Sequence, residues 1–213
     1  SFSPLDSSVS NINGLTNSLL SMLKINKVHE LGISGDSVLI GFLDSGFNPK
    51  EYECLEAIKL ISEHDFIYRD GTTSNQKFDH DKQDKHGSIC LSLSAGFLPN
   101  KFIGAAPNSN YLLAKTENVF YERKIEEDWF FEGTEWLESL GVDIINASLG
   151  YRKLDKSETS YSINDLQGNK SICSKAVNYA SERGILFAAA AGNNGTEPHS
   201  LNTPADADSV MCV

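Results

Sequence analysis

Asp44 and His86 are the first pair of residues whose types and spacing indicate chemistry. Asp44 follows an apolar run and begins an Asp-Ser-Gly sequence, and His86 begins a later His-Gly-Ser sequence. A nearby carboxylate favours a charged imidazole and a helix N-terminus disfavours it, so the two together can hold a base near neutral pH. Taken alone, Asp44 is more typical of a residue that caps a turn, and His86 of a structural histidine.

Two further segments, each containing a glycine after a predicted strand, offer groups that can contact a ligand. They comprise Ser148, Leu149 and Gly150, and Ala190, Ala191 and Gly192 followed by Asn193. The side-chain amide of Asn193 can donate a hydrogen bond to a developing oxyanion. A strand edge that ends in glycine can pair with an extended peptide. Seen separately, each segment is also typical of an ordinary turn.

Strands and helices must alternate along the chain to position these residues. Predicted strands lie at 37–43, near Phe66, and at 111–115, 142–147 and 185–191, with another starting at 210. Predicted helices lie at 19–31, 86–95, 125–140 and 172–183, after an irregular lead-in over residues 1–18. This order predicts an α/β fold with a mostly parallel, doubly wound sheet and helices on both faces. Such sheets carry their sites at the carboxyl ends of the strands.

The motifs, in this order and spacing, resemble the subtilisin-like serine protease (subtilase) family, in its bacterial type. The resemblance runs from about Ile25 to the end and includes Gly-Ala-Ala-Pro before the central strand and Asn-Thr-Pro-Ala near the end. It implies that Asp44 orients His86, that His86 is the general base and acid, and that Asn193 is an oxyanion donor. It also implies that the segments ending at Gly150 and Gly192 flank the pocket for the residue before the scissile bond.

The nucleophile of this family lies in a Gly-Thr-Ser motif downstream of the last predicted strand, and the 213 residues contain no such motif. We therefore expect residues 1–213 to form an incomplete peptidase domain that is inactive alone. A missing C-terminal segment would carry the serine of an endopeptidase that acts on extended polypeptides. The alternative is a pseudoenzyme domain that binds peptides without cleaving them.

Two other groups of residues offer alternative sites. Carboxylates and imidazoles crowd one loop at Asp79, His80, Asp81, Asp84 and His86. Such a loop is either a cation site or a solvated acidic loop. Structural calcium is common in the family that the chain resembles. We assign no metal and no cofactor. Cys90 follows His86 by one helical turn. Two interpretations are open: a thiol that is not the nucleophile, as in the thiol-containing branch of the family, or a cysteine nucleophile with His86 as its base.

Composition limits the partners of the chain. A net charge of −11 argues against nucleic acid, and no apolar run is long enough to span a membrane. The family resemblance implies polypeptide substrates and an extracellular or periplasmic location.

An acidic stretch comprises Glu122, Glu126, Glu127 and Asp128. It suggests either a mild preference for basic residues before the cut or a solvated helix start that suits the dipole.

Overall fold

A six-stranded parallel sheet forms the centre of the protein in the computed structural model, which describes residues 14, 16–196 and 200–213. The strand order is β2-β5-β1-β6-β7-β8, and every neighbouring pair is parallel. A separate antiparallel hairpin pairs β3 with β4. The strands are β1 (Leu39–Asp44), β2 (Lys59–Asp65), β3 (Phe97–Leu98), β4 (Phe102–Ile103), β5 (Asn110–Lys115), β6 (Ile144–Ala147), β7 (Leu186–Ala189) and β8 (Met211–Cys212).

Helices cover both faces of this sheet. They are α1 (Asn17–Met22), α2 (Ile25–Glu30), α3 (Lys85–Ala95), α4 (Lys124–Ser139) and α5 (Ile172–Glu182). Successive residues of a strand point to opposite faces, and β1 shows this clearly. Phe42 packs in the cluster that contains Leu91 of α3, whereas Leu43 packs in the cluster that contains Phe130 of α4. The predicted α/β fold, with a parallel sheet and helices on both faces, is confirmed.

Three local predictions differ from the structure. The single helix predicted at 19–31 is two short helices, because Lys24 has a left-handed φ of 59° that interrupts the turn. The strand expected only near Phe66 is the seven-residue β2, which is partly exposed at the sheet edge and therefore lacks an apolar run. Most of the predicted irregular lead-in lies outside the described residues, and its last two positions already belong to α1.

A buried ion cluster anchors the loop between β2 and α3 to the carboxyl edge of the sheet. Lys115, the last residue of β5, is fully buried, and its Nζ lies 2.8 Å from Asp65 Oδ2 and 2.7 Å from Asp79 Oδ2. Lys115 is also the register partner of Asp44 on the neighbouring strand. A buried charge of this kind is stable only when it is paired. The cluster therefore fixes the loop that leads into the helix of His86.

Candidate active site

Asp44 and His86 form a hydrogen-bonded pair at the carboxyl end of β1. The Nδ1 atom of His86 lies 2.7 Å from Oδ1 of Asp44, whose side chain is fully buried. The same carboxylate oxygen accepts a bond from the backbone N–H of Ser45 at 2.8 Å, and the hydroxyl oxygen of Ser45 lies 3.2 Å away. The neutral imidazole then carries its proton on Nδ1, and Nε2 is left as the acceptor.

Gly87 allows α3 to approach the turn that follows β1. A Cβ atom at this position would lie 2.2 Å from the carbonyl oxygen of Gly46 and 3.0 Å from Cβ of Asp44. Real Cβ atoms do not approach backbone so closely, so a larger residue would push the helix away. The glycine after His86 is therefore a requirement for the short distance between His86 and Asp44.

Gln83 is a positioning residue that sequence reasoning missed. Its side-chain amide donates to the carbonyl of Ser45 at 2.7 Å, and the hydroxyl of Ser45 donates back to the carbonyl of Gln83 at 2.7 Å. Gln83 is fully buried. These reciprocal bonds join the turn after Asp44 to the start of α3. A glutamine in a polar loop has no sequence feature that would have revealed this role.

The carboxylate of Asp44 has the largest effect on the pKa of His86. The hydrogen bond with Asp44 raises the pKa of His86 above its ordinary value of 6.5, and the contact with Cys90 raises it further. Burial of the ring acts in the opposite direction with a smaller effect. The pKa of His86 therefore lies above the near-neutral value that the sequence predicted. Asp44 favours the imidazolium, which is the form that His86 would adopt on accepting a proton.

This raised pKa predicts that stability depends on pH. Because the folded pKa of His86 exceeds the unfolded value, the pair contributes its full stabilisation below about pH 6.5, and the contribution is lost as pH rises through the folded pKa. We expect the difference in unfolding free energy between wild type and His86→Gln to shrink as pH rises from 6 upward. Urea denaturation of both chains at a series of pH values measures it. His80→Gln, in the preceding loop, is the control, and a difference that grows with pH would contradict the assignment.

Cys90 lies beside the free nitrogen of His86. Its Sγ is 3.8 Å from Nε2, as the spacing of one helical turn predicts. One possible ligand atom from each of Asp44, His86 and Cys90 lies within 4.8 Å of the other two. In the described part of the chain, this is the one group of three side chains with suitable ligand atoms for a metal ion.

The acidic loop before α3 does not gather its side chains around a common point. Asp79 pairs with Lys115, and Asp84 accepts a bond from the backbone N–H of Asn75 at 2.9 Å. His80 accepts a bond from the backbone N–H of Lys82 at 3.0 Å through Nδ1. The interpretation of a solvated acidic loop is also incomplete, since the carboxylates of Asp79 and Asp84 are largely buried in protein contacts.

The two predicted wall segments leave the sheet side by side. β6 and β7 are neighbours that end at Ala147 and Ala189, and the N–H of Ala190 donates to the carbonyl of Ala147 at 3.1 Å. Asn193 is exposed in the loop that follows β7. Because β6 separates β7 from β1, this loop starts roughly 10 Å across the sheet from Asp44, at the same edge.

Two of the four acidic residues at the start of α4, Glu126 and Glu127, are not solvated, whereas Glu122 and Asp128 are exposed. Glu126 and Glu127 are fully buried. Glu126 accepts from the backbone N–H groups of Asn118 and Arg123, and burial raises its pKa to about 7. Glu127 accepts from Lys124 and from the hydroxyl of Tyr161. Because Glu126 and Glu127 already have internal partners, they give no support to a preference for basic substrates, and that hypothesis depends on the exposed Glu122 and Asp128.

The chain is similar to known proteins over most of its length. Residues 35–213 match the family model described as the Subtilase family. The chain is 24% identical to subtilisin DY of Bacillus licheniformis, over 90% of this chain and 61% of that protein. It is 25% identical to subtilisin E of Bacillus subtilis, over 91% of this chain and 45% of that protein. It therefore spans less than two thirds of the length of these relatives.

A solved structure shows the same fold. The crystal structure of fervidolysin from Fervidobacterium pennivorans, described as a keratinolytic enzyme related to subtilisin, superposes with a TM-score of 0.63. The sequences are 18% identical, and the similarity covers 94% of this chain and 28% of fervidolysin. The family match, which extends over more than half of the sequence, decides the classification. The chain belongs to the subtilase family.

Proposed function

We propose that this chain supplies the acid, the base and one oxyanion donor of a serine endopeptidase, and that its nucleophilic serine lies beyond Val213. The observation that carries the proposal is the 2.7 Å hydrogen bond between Asp44 and His86 at the carboxyl end of a central strand. Membership of the subtilase family supports it. The substrates are extended polypeptides, and the reaction is hydrolysis of their peptide bonds.

The proposed mechanism follows from the free nitrogen of His86. Nε2 takes the proton of the serine hydroxyl as the oxygen attacks the scissile carbonyl, and Asp44 stabilises the resulting imidazolium. The side-chain amide of Asn193 donates to the oxyanion that develops on the carbonyl oxygen. His86 then gives the proton to the leaving amine, which leaves an acyl-enzyme. Water attacks this ester in a second cycle of the same proton transfers and releases the acid.

The substrate would lie along the two segments that leave β6 and β7. We assign Ser148, Leu149, Gly150, Ala190, Ala191 and Gly192 to the pocket for the residue before the scissile bond. The proposal requires no cofactor and no nucleic acid, and we place the enzyme outside the cell or in the periplasm. No helix in the described residues is long and apolar enough to cross a membrane.

Activity of the complete protein on unstructured polypeptides such as casein tests the proposal. We expect cleavage by the complete protein, loss of cleavage in His86→Ala, and none by residues 1–213 alone. Peptide binding without cleavage would favour the pseudoenzyme alternative. Cleavage by the 213-residue chain that disappears in His86→Ala would show that the serine is not needed.

Asn193→Ala tests the oxyanion role separately. In subtilisin itself, removal of the equivalent donor lowers kcat by about 100- to 1,000-fold, and we expect a similar loss with little change in KM. The donor acts on charge that exists only in the transition state, which is why kcat carries the effect. Steady-state kinetics on one peptide measures both constants. Asn194→Ala, at the neighbouring exposed residue, is the control. A rise in KM of Asn193→Ala without a fall in kcat would contradict the oxyanion role.

A further inference from the structure

Asn194 and Gly195 form an exposed Asn-Gly pair in the loop that follows β7. Glycine has no Cβ atom, so its backbone nitrogen is less hindered than that of any other residue toward a neighbouring side chain. The space around Gly195 is open as well, because a Cβ atom added there would meet no atom within 4 Å beyond its chain neighbours. The pair therefore has the access that an attack of the glycine nitrogen on the asparagine amide requires.

The sheet holds the backbone of this loop as far as Ala191. The N–H of Ala191 donates to the carbonyl of Val213 at 2.7 Å, and its carbonyl accepts from the N–H of Asn202 at 3.0 Å. The N–H of Gly195 and the side-chain amide of Asn194 have no hydrogen-bond partner among the residues that the structure describes. Neither group therefore has to break an internal bond before the two react.

Other asparagines of the chain lack this combination. The sequence contains one other Asn-Gly pair, at residues 13 and 14. Gly14 is crowded, since a Cβ atom there would lie 2.2 Å from the carbonyl oxygen of Lys101, and it forms an antiparallel bridge with Phe102. Asn193 is followed by Asn194, whose side chain hinders attack by its nitrogen. Composition and access together are found at Asn194.

We propose that Asn194 is a site of spontaneous deamidation, and that this modification inactivates the protein by displacing Asn193. The first half depends only on the loop and on water. The second half rests on the proposed function, because it requires that Asn193 is the oxyanion donor. The modification would limit the working life of the enzyme without any partner protein.

The reaction needs no reagent other than water. The backbone nitrogen of Gly195 loses its proton and attacks Cγ of Asn194, which forms a cyclic imide. The bond between Cγ and Nδ2 breaks, and Nδ2 leaves with that proton as ammonia. Water then opens the imide at one of its two carbonyls and gives either aspartate or isoaspartate, in which the main chain runs through Cβ and Cγ. Ammonia leaves and water enters, so the mass rises by about 1 Da.

Both products change the surroundings of Asn193. Each places a negative charge directly after the residue that has to stabilise a developing negative charge. Isoaspartate also adds one methylene to the main chain, which moves the neighbouring residue by roughly 1 Å, and a misplacement of this size costs about 100-fold in rate. We therefore expect kcat of the isoaspartyl chain to be about 100-fold lower than that of the unmodified chain.

The test stores the complete protein in mildly alkaline buffer, in which the attacking nitrogen loses its proton more readily, and in mildly acidic buffer as the reference. Peptide mass spectrometry follows the segment that contains Asn194, and steady-state kinetics follows activity. We expect a gain of about 1 Da at Asn194 in the alkaline sample, with activity falling in proportion to the modified fraction. Asn194→Ala is the matched control, because it shares any self-digestion but lacks the amide, and it should keep its activity for longer.

The two readouts separate this inference from the proposed function. The mass change at Asn194 requires no activity, so deamidation in a protein that never cleaves would support the site while the protease proposal fails. A folded protein that keeps Asn194 unmodified throughout alkaline storage would overturn the site. Loss of activity in Asn194→Ala as fast as in wild type would overturn the proposed inactivation, since the loss would then arise elsewhere.

Discussion

Asp44→Asn is expected to lower kcat of the complete protein by about 10,000-fold, the size of loss seen when the aspartate of a serine protease triad becomes asparagine. In the structure, a carboxylate oxygen accepts from Nδ1 of His86, so the neutral ring keeps its proton on that atom. An amide can donate from its NH₂ group to Nδ1 instead, which moves the proton to Nε2. The base then has no lone pair that faces the serine.

Three measurements check this result. Steady-state kinetics gives kcat, circular dichroism shows that the variant is folded, and a pH profile locates the acidic limb. Because Asp44 raises the pKa of His86, the residual activity of Asp44→Asn should have its acidic limb at lower pH than wild type. Asp81→Asn, an exposed aspartate of the loop before α3, is the control with expected wild-type activity. Activity of Asp44→Asn within a few fold of wild type would remove Asp44 from the mechanism.

The central fold was predictable because its strongest signals are local. The apolar run before Asp44 is an internal strand of the sheet with α3 packed on one face and α4 on the other, so its residues are buried on both faces and its apolar run is easy to recognise. β2 gave a weak signal because it is an edge strand with polar residues at several positions. The helix of His86 was predicted almost to the residue, because glycine and small residues follow the histidine where close packing requires them.

Contacts between distant segments were not predictable from the sequence. Lys115 is a charged residue in an apolar strand, and its partners come from the end of β2 and from a loop. Nothing in the local pattern shows that these three side chains meet. Asn202 is a similar case, since an asparagine before threonine and proline is typical of a turn. Its side chain lies beside Gly150 and Gly192, which belong to the loops after β6 and β7 and meet only in the folded chain.

Mercury(II) is expected to inhibit the complete protein through Cys90. The thiol lies 3.8 Å from Nε2 of His86, the nitrogen that accepts the serine's proton in the proposed mechanism. Mercury(II) is a soft cation that binds thiolates, and the neighbouring imidazole supplies a second ligand atom. A metal bound at this point occupies Nε2 and displaces the ring from its partner. We therefore expect almost complete loss of activity once one mercury ion is bound for each chain.

Cys90→Ala separates inhibition at this thiol from reaction elsewhere. The variant should keep its activity, since the thiol is not the nucleophile in the proposed mechanism, and its sensitivity to mercury should fall sharply. Cys212→Ala removes an exposed thiol and should remain as sensitive as wild type. Equal sensitivity in Cys90→Ala would place the inhibitory site at another cysteine. A folded Cys90→Ala variant without activity would instead support a cysteine nucleophile, because only then would removal of the thiol stop the reaction while the Asp44–His86 pair remains intact.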